Sequence, residues 1–146
     1  MKKGITILGL GLVLLSTSAV FGQCRGFTKR KVLPLLDGYI QNGRYSSPVL
    51  EQGEKAEISI TFSSGQKYRL LIKGQEALGD VNFKVYDQSK KQVLFDNSKH
   101  DNQSHWDFNV QNTQPLVIAI EVPESTNTHD LKHTGCVSVM VGYKKK

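Results

Sequence analysis

The run Glu54-Lys-Ala-Glu-Ile-Ser-Ile-Thr-Phe-Ser-Ser-Gly-Gln-Lys-Tyr-Arg-Leu-Leu-Ile-Lys73 decides how the rest of the chain is read. In its first half Ala56, Ile58, Ile60 and Phe62 fall on one side, and Lys55, Glu57, Ser59 and Thr61 on the other. That period of two belongs to a half-buried strand and not to a helix. After Ser63-Ser64-Gly65 the alternation resumes, with Tyr68, Leu70 and Ile72 against Lys67, Arg69 and Lys73. Two alternating runs joined by a short Gly-containing turn predict a β-hairpin.

Working outward, the same period recurs. Residues 81–87 (VNFKVYD) place Val81, Phe83 and Val85 inward, and QVLFD returns after the polar tip QSKK as a partner strand. Residues 105–110 align Trp106, Phe108 and Val110, and residues 116–122 align Leu116, Ile118, Ile120 and Val122. A last strand over 136–143 puts Val137, Val139, Val141 and Tyr143 on one face and Cys136, Ser138, Met140 and Gly142 on the other. An eighth strand is expected over Arg44–Leu50, at an edge because of Pro48. Many short strands separated by turn signals predict an all-β fold, a single antiparallel β-sandwich of about eight strands such as a jelly roll. No segment combines helical length with an apolar stripe. Residues 25–43, rich in Gly, Lys and Arg around VLPLL, are expected to form a lead-in strand or an arm across the sandwich.

The N-terminus carries Lys2 and Lys3, then the apolar run ITILGLGLVLL (residues 5–15), then STSAVFG. This is the pattern of a secretory signal peptide over residues 1–22, with the apolar run too short for a membrane span. Residues 23–146 would then form one domain with a basic tail at Lys144–Lys146, and loss of Lys2 and Lys3 takes the formal charge from +6 to +4. No aromatic-interleaved basic patch points to nucleic acid. The two cysteines, Cys24 and Cys136, read as a disulfide in an oxidising compartment, closing nearly the whole domain into one loop. A competing reading makes Cys24 a lipidated anchor, although Gln23 stands where a lipobox wants a small residue. The chain is therefore expected to be exported, periplasmic or extracellular, with the anchored lipoprotein as the alternative.

Site chemistry is sparse. His129 and His133 precede Cys136 at spacings that suggest half of a zinc motif, but no second half exists, and a polar loop leading into a structural cysteine is the preferred reading. The loop DNSKHDN, with Asp96 and Asp101, could chelate calcium if Asp80, Asp87 and Asp107 converge on it; ordinary Asx turns give the same composition. Trp106 is a core residue or a sugar platform, and its alternation with Phe108 and Val110 favours the core. Tyr39, Tyr45, Tyr86, Arg44 and Arg69 are the residues expected to make exposed contacts. No GxSxG, HExxH or Gly-rich phosphate loop occurs, so no catalytic residue is assigned and the chain is not expected to be an enzyme.

The runs GQKYRLLIKG, VNFKVYDQSKKQVLFDN and HWDFNVQNTQPLVIAIEV, within residues 50–143, resemble the pre-peptidase C-terminal type domains of bacterial exported proteases. The ending GCVSVMVGY departs from that pattern. With it, the chain looks more like small exported proteins of Bacteroidota. These resemblances imply fold and compartment but no activity. The resulting expectation is an exported, non-catalytic binding or accessory module without a required cofactor, its partner a protein or a cell-envelope polysaccharide. A calcium-dependent binding domain and a small secreted hydrolase are the alternatives.

Overall fold

The computed structural model describes residues 19–127, 129 and 131–145. The expected signal peptide therefore lies, up to residue 18, outside the described residues. The rest is an antiparallel β-sandwich of nine strands. These are β1 (Ile40–Ser46), β2 (Val49–Glu51), β3 (Lys55–Phe62), β4 (Gln66–Gly74), β5 (Asn82–Asp87), β6 (Val93–Asp96), β7 (His105–Val110), β8 (Gln114–Glu121) and β9 (Thr134–Lys145). One sheet has the order β1-β9-β4-β7, with β2 also paired to β9; the other runs β3-β8-β5-β6. The ninth strand arises because the strand expected over Arg44–Leu50 divides at Ser47 and Pro48. Both pieces lie at the sheet edge, and the Pro48 carbonyl accepts a hydrogen bond from the Val137 amide.

The inward faces are those of the alternating pattern. Phe62, Leu70, Ile72, Phe83, Val85, Leu116, Ile118, Ile120, Val137, Val139 and Val141 form the central core, and β5 pairs with β6 as a hairpin. The hairpin expected between β3 and β4 does not exist. β3 pairs with β8, while β4 pairs with β9 and β7. Ser63–Gly65 crosses from one sheet to the other, held by the Gly65 amide on Val110 O and the Ser64 amide on Thr113 Oγ1. Gly65 takes φ 81°, which lets so short a connection change layers.

Residues 19–36 form an arm, and it is helical. An α-helix, α1 (Ala19–Phe27), runs into a single π turn (Thr28–Val32) and a 3-10 turn (Leu33–Leu36), ended by left-handed Asp37 and Gly38. The spacing of five from Phe27 to Val32 is the i→i+5 step of the π turn, which brings both onto the sheet where a regular α-helix would present Lys31. The arm covers the outer face of β4 and β9: Val32, Leu36, Tyr39, Leu71 and Met140 form a second core. β9 is thus buried on both faces, which explains its apolar content on both. Cys24 and Cys136 are disulfide-bonded across 112 residues and fasten the arm to β9. The bond occupies the sulfur that an acyl anchor would need.

Candidate functional site

A two-layer sandwich has two open sides, each flanked by edge strands. Here they differ. On the β6–β7 side a line of rings fills the gap: Phe95 stacks on Trp106 at 5.3 Å, Trp106 on Phe108 at 4.1 Å, and His100 caps Phe95 at 4.9 Å. Phe108 continues inward to Tyr68 and Phe62. Trp106 is therefore a packing residue, its ring engaged by two neighbours and not presented as a sugar platform.

On the other side, between β1 and β3, no described residue fills the gap. A groove of about 650 Å³ opens there, lined by Asn42, Tyr45 and Ser46 of β1, Ile58, Ser59, Ile60 and Thr61 of β3, and Val139 and Val141 of β9. Ile58 and Ile60 point toward the core but are only partly covered, unlike their counterparts on β8. Four consecutive residues of β3 line the groove, so the edge of its backbone faces the opening.

The phase of that edge follows from the ladder. The Val122 amide donates to Glu54 O at 2.9 Å, and β3 and β8 stay in unbroken register from Lys55↔Glu121 to Phe62↔Gln114. Antiparallel partners alternate between hydrogen-bonded and non-hydrogen-bonded pairs. The backbone groups of residues 54, 56, 58 and 60 thus turn to β8, and those of 55, 57, 59 and 61 turn outward. Within the groove, the amides and carbonyls of Ser59 and Thr61 are the outward set. The charges of β3 lie upstream and are paired, Lys55 with Glu121 and Glu57 with Lys90.

The residues singled out from the sequence lie elsewhere, except Tyr45, which lines the groove and is 39% exposed. Tyr39 is buried, correcting its assignment as an exposed contact. Arg69 holds Asp107 through two 2.8 Å hydrogen bonds, donates to Leu35 O, and lies over the Tyr39 ring at 4.6 Å. Lys144 sits over the same ring at 4.4 Å. Burial, then the Asp107 hydrogen bond, pushes the Tyr39 phenol above its ordinary value. These groups clamp the arm to the sheet. The arginine and tyrosine are consumed by that clamp because the arm, illegible as a helix, covers them. Arg44 lies in β1.

The aspartates do not converge. Asp96 caps its own turn through the Ser98 amide and hydroxyl and pairs with Lys84 at 3.6 Å. Asp87 accepts from the Ser89 hydroxyl and the Gln92 amide. These bonds, with the serine hydroxyl foremost in each case, hold both carboxyls below their ordinary range. Asp80 and Asp101 are exposed. Asn97 is buried and fully engaged, accepting from the Phe83 amide and donating to Val81 O and Gln103 O. His129 is exposed, His133 donates its amide to Gln52 Oε1, and Cys136 is not a thiolate. Among the described residues no three His, Cys, Asp or Glu side chains are grouped to hold a metal ion.

No protein-family model matches the chain, and no curated protein matches it in sequence. Among solved structures it is similar to PliG of Aeromonas hydrophila, a periplasmic lysozyme inhibitor of g-type lysozyme, with a TM-score of 0.51 at 13% identity over 73% of this chain and 89% of that one. A designed double-stranded β-helix matches at TM-score 0.30 and 15% identity, over 69% of this chain and 99% of that one. The likeness to PliG is one of fold.

Proposed function

We propose that this chain is an exported, non-catalytic binding protein whose partner is another protein, and that the groove between β1 and β3 is the contact face. The observation that carries the reading is a groove whose described lining mixes aliphatic and uncharged polar side chains, beside a strand edge that no described strand pairs, on the side of the sandwich opposite the ring stack. Its described lining has no carboxylate, histidine, cysteine or lysine, which suits binding better than acid–base chemistry. The Cys24–Cys136 bridge supports an oxidising compartment. The fold shared with PliG makes a lysozyme-type enzyme the first partner to test.

The test is calorimetric titration of the oxidised protein with a g-type and a c-type lysozyme, alongside cell-wall lysis assays. Complex formation is expected, weakened at least tenfold by Ile60→Asn in a variant whose melting confirms folding. An Ile60→Asn complex as tight as that of the unmodified protein would place the contact outside the groove. No complex with either lysozyme would remove that partner class.

A further inference from the structure

We infer that the groove takes an extended, uncharged segment of the partner protein, which adds as a strand to β3. The inference rests on the groove being the protein-contact face and specifies how the partner is held. Proteins ordinarily blunt exposed strand edges with shortness, bulges, proline or charge. β1, β2 and β6 follow that rule: β2 has three residues, β6 has four, and β1 is broken by a register shift between Gln41 and Tyr45, while six-residue β7 carries Asp107. β3 does not follow it: it has eight residues in unbroken register and no proline, and its two charges are paired on the outer sheet face upstream of the groove.

The chemistry of the occupant follows from the walls. Outward amides and carbonyls at Ser59 and Thr61 ask for a backbone, not a side chain. A strand laid against them sends alternate residues inward, over Ile58, Ile60, Val139 and Val141, where apolar side chains fit. The intervening residues point out beside Ser59 and Thr61 and can be polar. Charges on the inserted stretch would meet no counter-charge among the described lining residues. The slot has the volume of a small-molecule site, ~300–1,000 Å³, which suits a few extended residues. β1 stands across from β3, so a whole second sandwich pairing by its own β3 would have to bring a second β1 edge against the first.

The register supplies a selective test. Ser59→Pro removes an outward amide without costing a bond to β8, a position where an edge strand tolerates proline. Ser59→Ala removes the hydroxyl and keeps the amide. The oxidised protein is panned against a display library of random twelve-residue peptides, and synthetic versions of the enriched peptides are titrated against all three proteins. Enrichment of uncharged segments with alternating apolar residues is expected. Affinity should hold within twofold in Ser59→Ala and fall at least tenfold in Ser59→Pro, with both variants melting cooperatively. No enrichment, or equal binding to Ser59→Pro, overturns strand addition. Light scattering is run in parallel, and a dimer that Ser59→Pro dissolves would show that β3 pairs with its own copy, overturning the partner assignment. A lysozyme that binds Ser59→Pro undiminished would leave the groove reading standing and remove this one. Peptides that bind while lysozymes do not would leave strand addition standing and remove the lysozyme-type partner.

Discussion

Arg69 joins three parts of the molecule through one guanidinium: Asp107 on the neighbouring strand, the Leu35 carbonyl of the arm, and the Tyr39 ring where the arm enters β1. The two side chains of the ion pair are only 16% and 29% exposed, so it should outweigh an ordinary surface pair, at about 1–2 kcal/mol. Arg69 holds the Asp107 carboxyl below its ordinary range against the opposing effect of burial. A carboxyl depressed in the folded state contributes stability that is complete above its unfolded value of about 3.9 and is lost as pH falls through the folded value. Asp107→Asn should therefore melt lower than the unmodified protein at pH 7, and the two melting curves should converge as pH drops from 4 toward 2. A gap that stays constant down to pH 2 would mean that the Asp107 charge is not what stabilises the clamp.

At the scale of elements, the arm is the part that most changes the reading of the rest. A Cβ at position 142 would lie 2.7 Å from Tyr39 Cβ and 2.9 Å from Leu36 Cδ2, so β9 keeps glycine where the arm lies closest. Gly142→Ala should cost about 1–3 kcal/mol by forcing arm and strand apart, read as a fall in urea midpoint; an unchanged midpoint would show that the arm is loosely held. The strands themselves were legible, because alternation reports directly which face of a strand is buried. Partnership was not. Alternation says nothing about the neighbour, and Ser63–Gly65 serves a crossing between sheets as readily as a hairpin. An arm was one of the two forms expected here, but its helical form escaped notice because its apolar residues follow a π step and then a 3-10 turn, so neither a period of 3.6 nor one of 2 reveals it. The groove was half visible: Ile58 and Ile60 could be read as inward-facing, but a strand pattern does not record that nothing lies over them. Leu71, read past as an exception among Lys67, Arg69 and Lys73, was the one sign that the outer face of β4 is covered.

For the whole molecule, one side of the sandwich is sealed by rings and the other is open, so the contact face proposed above would lie apart from the packing that stabilises the fold. Trp106→Ala should remove the middle of the stack and cost about 2–4 kcal/mol, somewhat below the range for a fully buried tryptophan. Binding at the groove should be unaffected when measured well below the new melting temperature. A loss of binding in step with the loss of stability would show that the two sides are coupled. The disulfide has a mechanical meaning as well. Because Cys24 and Cys136 are joined across 112 residues, a tensile load applied outside the two cysteines cannot lengthen the stretch between them and bears first on the part of β9 that lies beyond Cys136. Reduced, the same stretch of chain could pay out roughly 400 Å of contour at ~3.6 Å per residue. Oxidised, it is inextensible: a pull on the two ends can strip β9 beyond Cys136 but cannot unravel β1 to β8, which all lie between the two cysteines.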